Sequence, residues 1–287
     1  MEYDTIIIGS GVAGLTAALY LARAKKKVMI IENSVLGGTV ASLDIIENYP
    51  GIESITGFDL VQNLIKQISQ LGVNIDFLNI NSIDYDNKKV ICDNISLQYK
   101  TLIIASGSSY VKLNLPEEDK FKFRGLSYCA VCDGNLYKDK DIVIITNGYS
   151  GASSVNYLSN ISNKITIIDI SDQYNNENYN VIKGAFISKI LGESFVSGVE
   201  IIVDNELQQV KCDAIFVALG KKTDLSLYEN AIHNDEMYIL SDEDMHTNIN
   251  GVFVAGDIRK KNLRQIVTAC SDGAIAGSEA IKYLNNI

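Results

Sequence analysis

Cys129-Ala-Val-Cys132, followed at once by Asp133-Gly134, is the one cysteine spacing in this chain suited to thiol–disulfide chemistry. Sulfurs three residues apart can close into a disulfide and reopen. The thiolate is the reactive form, and an adjacent carboxylate is a residue type that handles the protons. Asp133 also has a plainer reading as a helix cap after the Cys turn, and the two roles are compatible. The other cysteines, Cys92, Cys212 and Cys270, lie in apolar or strand-like surroundings and read as small packing residues. His233 and His246 stand apart from any Cys pair, so no metal site is expected.

Two strand, glycine-turn and helix units flank this dithiol. In the first, an apolar strand over 3–8 runs into Gly9-Ser-Gly11-Val-Ala13-Gly14, and apolar residues at helical spacing follow from Leu15 to Ala24. A second apolar strand, Val28 to Ile31, ends at Glu32. This is a dinucleotide fingerprint: Gly9 permits the tight turn, Gly11 admits a pyrophosphate, and Gly14 allows close helix–strand packing. The helix N-terminus supplies amides for the anion, and Glu32 would accept ribose hydroxyls. The fingerprint alone leaves FAD and NAD open.

The second unit keeps the scaffold, with a strand over 141–146, a helix over 152–158 and a strand over 164–168. Its turn, however, reads Asn147-Gly148-Tyr149-Ser150-Gly151-Ala152. Asn stands at the first glycine position and Tyr at the second, where a ring would block the pyrophosphate. Asp169-Ile-Ser-Asp172 then supplies acids where a 2′-phosphate would need cations. Gln173 to Asn180 is Asn-rich without apolar period, so part of the usual crossover helix is expected to be lost or remodelled. Asp169 could instead serve an NAD ribose, and Gly148 with Gly151 could form an unorthodox phosphate turn.

The length of 287 residues and 47% hydrophobic content allow two domains with their own cores. A formal charge of −10 argues against a broad nucleic-acid surface. With no signal-like start and no apolar run near the ~18 residues that span a bilayer, a cytoplasmic protein without membrane attachment is expected. Five cysteines there do not make a disulfide framework.

Taken together, these features resemble the bacterial low-molecular-weight thioredoxin reductases over nearly the whole chain. The likeness rests on the first fingerprint, Gly37-Gly38, Asn48-Tyr-Pro50-Gly51, Ala105-Ser106-Gly107, Leu115-Pro-Glu-Glu118, the CAVCDG segment, Gly256-Asp257, Leu263-Arg264-Gln265 and Asp272-Gly273. It implies an α/β fold with two Rossmann-like domains, the second inserted into the first. The expected boundaries are 1–112 with 243–287 for an FAD-binding domain, and 113–242 for a redox domain turning on linkers near 111–118 and 239–247. It implies FAD held by Gly9, Gly11, Ala13, Gly14, Glu32, Gly37, Gly38, Thr39, Asn48, Ala105, Ser106, Gly107, Gly256, Asp257, Arg264, Gln265 and Ile266. It also implies a homodimer that reduces thioredoxin, with Cys132 facing the flavin, Cys129 as interchange thiol, and Asp133 as acid and base.

Within this likeness, the altered second unit resembles the ferredoxin-dependent flavin thioredoxin reductases. That branch implies ferredoxin as electron donor. The driving force is sufficient: a plant-type ferredoxin near −400 mV and thioredoxin near −270 mV differ by about 130 mV, or ~6 kcal/mol for two electrons. Arg259-Lys-Lys261 and Arg264 are a candidate docking patch for an acidic ferredoxin, or simply a solvated loop. Other readings are an NAD(P)H-dependent reductase with an altered site, an oxidoreductase with a second flavin stacked near Tyr149, and a redox sensor.

Overall fold

The computed structural model describes residues 2–43 and 45–287. The chain divides into two compact units, one of residues 1–109 with 222–287, the other of residues 110–221.

The first unit is built on a seven-stranded sheet. Its order runs Asn74–Phe77, Val28–Glu32, Glu2–Ile8, Ile95–Ile104, Lys89–Cys92, Ile80–Asp84, with Val252–Val254 also paired to Ile95–Ile104. The strands at its centre are parallel and carry unbroken apolar runs, as strands covered on both faces must. Alternation sorts their side chains. Ile7, Ile30, Ile103 and Phe253 enter a core with the helices Val12–Arg23, Gly57–Ser69 and Ile266–Leu284. Ile6, Ile8, Met29, Ile31, Leu102 and Ile104 face the other way, against Val90, Leu97 and Tyr99.

That second core also takes Leu225, Tyr228, Ile232 and Ile239. Residues 222–242 therefore belong to the first unit, and the chain returns to it at 221/222 rather than at the expected 242/243. The reason is burial: Tyr228 is 2% exposed and Ile239 fully buried, so the segment is part of the core and not a linker. The helix Ile266–Leu284 meets Val12–Arg23 through small residues, and a Cβ at Gly273 would lie 2.2 Å from the Ala13 carbonyl oxygen.

The second unit carries a five-stranded sheet in the order Asn180–Lys183, Ile165–Asp169, Ile142–Thr146, Ala214–Ala218, Leu126–Ser127, with every pairing parallel. Ile142, Ile144, Ile165 and Ile167 pack under the helix Ala152–Leu158 through Val155 and Leu158. Val143, Ile145 and Ile168 face a three-stranded antiparallel sheet, Phe186–Gly192, Val196–Val203 and Glu206–Lys211. Between 170 and 179 there is no helix, as the missing apolar period predicts. The two ends of this unit lie together, Val111 N–H donating to the Gly220 carbonyl at 3.0 Å. Among the described residues no helix is long and apolar enough to cross a membrane.

Candidate functional site

The strand Leu126–Ser127 at the sheet edge delivers the dithiol. Cys129 and Cys132 are joined in a disulfide. Cys129 is the N-cap of the short helix Ala130–Asp133, and its Sγ accepts the Cys132 amide at 3.2 Å. Asp133 lies at the far end of that turn, its amide bonded to the Cys129 carbonyl at 3.1 Å. Its side chain does not cap the following 3-10 turn. The capping reading is thus not realised; the carboxylate instead accepts the Ser127 hydroxyl at 2.6 Å. Sequence reasoning passed over Ser127, whose only signal was its place two residues before the first cysteine.

Two of the other cysteines are made unreactive by burial. Burial pushes the thiol of Cys92 up, and burial with Asp213 and Asp141 nearby pushes Cys212 up to about 12. Cys270 is half-buried. Among the described residues no group of His, Cys, Asp and Glu could hold a metal ion.

In the first unit the predicted cofactor residues converge. Gly9, at φ +102°, passes so close to Ala105 that a Cβ would stand 2.4 Å from its carbonyl oxygen, and one at Gly14 would stand 2.0 Å from the Gly9 oxygen. Gly11 bridges to Gly37, which sets Gly37 and Gly38 beside the turn, and Gly256 approaches Ala13. Thr39 Oγ1 donates to the Ser108 carbonyl at 3.3 Å, and Ser108 Oγ reaches Asp257 at 3.4 Å. Ser106 Oγ meets the Tyr228 hydroxyl at 3.3 Å. Asn48 Nδ2 donates to Gln265 Oε1 at 3.3 Å, and Gln265 caps the helix that Ile266 begins.

Two observations show that a dinucleotide fits here. A Cβ at Gly11 would meet nothing within 4 Å, so the space beside the turn is open. The helix Val12–Arg23 begins at Gly11 with no side-chain cap, which leaves first-turn amides for an anion. Glu32 is buried and already holds Ser10 N–H, Ser10 Oγ–H and the amides of Asn33 and Ser34 at 2.6–2.9 Å. It braces the turn, and a ribose would have to share it with Ser10.

The second turn is closed by its own chain. Asp169 is fully buried, and its oxygens accept the amides of Gly148 (2.7 Å), Ser171 (3.2 Å), Gln173 (2.6 Å) and Tyr174 (2.7 Å) with the Ser171 hydroxyl (3.0 Å). Burial by itself would raise this carboxyl, but the hydrogen bonds outweigh it and hold it below the ordinary carboxylate value. Where the sequence alone suggested an acid facing a ribose or a phosphate, this carboxylate braces its own turn and the segment that follows it. Asn147 caps the Ser150 amide, and Thr146 Oγ1 takes that of Gly151 at 2.9 Å. Ser171 and Gln173 side chains lie over Gly148, and the ring of Tyr149 packs on Tyr174 at 5.3 Å. The helix that follows has only seven residues.

The expected basic patch is mostly internal. Lys261 is 7% exposed and pairs with Asp272 at 2.9 Å; Arg259 Nε reaches the same carboxylate at 3.1 Å, as does Gly256 N–H at 3.0 Å. Arg264 stacks on Tyr238, 3.8 Å from the ring centre, and donates to the carbonyls of Asp257, Arg259 and Lys261. Of the four cations only Lys260 has an exposed side chain, and it pairs with Asp235 at 3.0 Å. Asp272, on the next helix, draws this loop inward.

Residues 3–273 match the family model described as pyridine nucleotide-disulphide oxidoreductase. The chain is 35% identical over 302 residues to a thioredoxin reductase of Bacillus subtilis, covering 99% of this chain and 96% of that protein. The solved thioredoxin reductase of Streptococcus pyogenes superposes with a TM-score of 0.93 at 34% identity, covering 100% of this chain and 99% of the other. A ferredoxin-flavin thioredoxin reductase from Clostridium acetobutylicum matches with a TM-score of 0.56 at 28% identity, covering 100% and 99%. With a dithiol in one Rossmann-like unit and an open dinucleotide cradle in the other, the chain belongs to the pyridine nucleotide-disulphide oxidoreductases and, within them, to the low-molecular-weight thioredoxin reductases, FAD-dependent flavoproteins.

Proposed function

We propose that this thioredoxin reductase draws its electrons from reduced ferredoxin and not from a pyridine nucleotide, passing them through FAD and the Cys129/Cys132 pair to the disulfide of thioredoxin. The observation that carries this reading is the second turn, where the amides of Ser150 and Gly151 are taken by Asn147 and Thr146 and the side chains of Ser171 and Gln173 lie over Gly148. A nucleotide phosphate there would have to displace these internal partners. The likeness to the ferredoxin-flavin protein of Clostridium acetobutylicum supports the same reading.

Bound FAD supplies the conversion between single electrons and the pair that a disulfide accepts. Gly9, Gly11, Ala13 and Gly14, with Gly37, Gly38 and Gly256-Asp257, would hold it. Cys129 serves as interchange thiol and Cys132 as the partner facing the cofactor. The Cys132 amide donates to Cys129 Sγ and holds that sulfur at the start of its short helix. Asp133 exchanges the protons. A cytoplasmic location, where thiols are kept reduced, is part of the same proposal. A groove of about 800 Å³ on the first unit, lined by Leu19, Tyr20, Ile52, Leu64 and Val267, is the face we assign to a second copy in a homodimer.

The family match and the retained parallel sheet of the second unit favour a second reading, an NAD(P)H donor. One experiment decides between them. The oxidised holoenzyme is mixed anaerobically with NADPH, NADH or reduced ferredoxin, and flavin absorbance is followed. Bleaching by ferredoxin alone supports the proposal; rapid bleaching by either nucleotide overturns it.

A further inference from the structure

One hydroxyl joins the interchange cysteine to the carboxylate beside the dithiol. Ser127 is 5% exposed at the end of its strand. Its Oγ lies 2.6 Å from Asp133 Oδ2 and accepts the Cys129 amide at 3.0 Å. A hydroxyl has one proton to give. The short contact is the geometry of a donor to a carboxylate, whereas the Cys129 carbonyl, also in reach, is 3.4 Å away. Ser127 thus donates to Asp133 and receives from Cys129.

We infer that Ser127 is a positioning residue for thiol–disulfide interchange, holding the Asp133 carboxylate in one place while fixing the backbone of Cys129. The inference rests on the reading of Asp133 as proton handler. In the interchange, the Cys129 thiol loses a proton and its sulfur attacks the thioredoxin disulfide, and the displaced thioredoxin sulfur takes up a proton. The second enzyme thiol then gives its proton as the enzyme disulfide closes and the second thioredoxin sulfur is protonated. Each transfer needs a carboxyl group kept in one place. A bond from Ser127 does this.

Three variants test this in the holoenzyme: Ser127→Ala, Ser127→Thr and Asp133→Asn. Steady-state thioredoxin reduction is measured against pH with an artificial reductant of the flavin, so the result does not depend on the physiological donor. Ser127→Ala is expected to lower kcat about tenfold with KM for thioredoxin within about twofold, the loss of one charge-assisted hydrogen bond. Its pH profile should differ from that of the wild type. Ser127→Thr, which keeps the hydroxyl, should restore both. Asp133→Asn should cost about a hundredfold. A wild-type pH profile and kcat in Ser127→Ala, with Asp133→Asn impaired, overturns the role of Ser127 alone. Wild-type behaviour in both removes Asp133 as proton handler and the inference with it. If Ser127→Ala loses its fold, Ser127→Val is compared with Ser127→Thr at equal volume, and equal rates in that pair overturn the inference.

Discussion

The amide of Gly148 donates to the carboxylate of Asp169 at 2.7 Å, and Ser10 in the first unit makes the equivalent bond to Glu32 at 2.9 Å. Both Rossmann-like turns are braced by an acid at the end of the second strand. They differ in what the acid does next: Glu32 binds the two residues that follow it, whereas Asp169 gathers residues 171–174 over its turn.

Replacing Asp169 should therefore unfold its surroundings. Asp169→Ala leaves buried amides of Gly148 and Tyr174 without a partner and should cost about 3 kcal/mol in urea denaturation. Because its folded pKa is depressed, Asp169 contributes stability above its unfolded value and loses that contribution as the pH falls. The wild type should weaken progressively below about pH 4, and Asp169→Asn, which cannot titrate, should be less stable at pH 7 but weaken less with acid.

Gly11→Ala separates cofactor binding from folding. The new Cβ meets no protein atom within 4 Å, and Gly11 has φ −63°, so the apo-protein should keep its stability to within about 1 kcal/mol. FAD affinity, followed by fluorescence titration of the apo-protein, should fall at least about tenfold as the methyl enters the pyrophosphate path.

The loop cations should answer to stability more than to donor docking. Lys261→Ala and Arg259→Ala each remove a partner of Asp272, which is 5% exposed, and should cost about 2–4 kcal/mol in thermal or chemical denaturation. Lys260→Ala removes an exposed pair with Asp235 and should change stability by less than about 1 kcal/mol. In stopped-flow reduction by ferredoxin, only Lys260→Ala is expected to alter the salt dependence of the rate while the protein stays intact.

The two cysteines should fail differently. Cys129→Ser is expected to abolish thioredoxin reduction yet leave anaerobic reduction of the flavin by the donor at its wild-type rate. Persisting turnover in this variant would mean that the dithiol does not serve thioredoxin.

Much of this was legible because local chemistry and fold agree. Gly9 and Gly14 sit at close backbone approaches that a Cβ would not allow, and where the apolar period is lost after Asp169 residues 170–179 form no helix. What escaped was set by contacts distant in sequence. Asp169 reads as an acid facing solvent until residues 171–174 fold back on it, and Arg259 with Lys261 reads as a surface patch until Asp272 captures both. Leu225 and Tyr228 look like part of the inserted unit because their sequence does not say which sheet they cover. Ser127 carries no motif; only the curl of the chain from 127 to 133 brings its hydroxyl to the carboxylate.

The bond between Val111 and Gly220 means that the inserted unit begins and finishes at one point. A segment closed in this way can be exchanged as a cassette, because removing residues 110–221 leaves two host ends that a short peptide can rejoin. The residues proposed to hold the flavin, encoded on either side of the insert, would stay as they were.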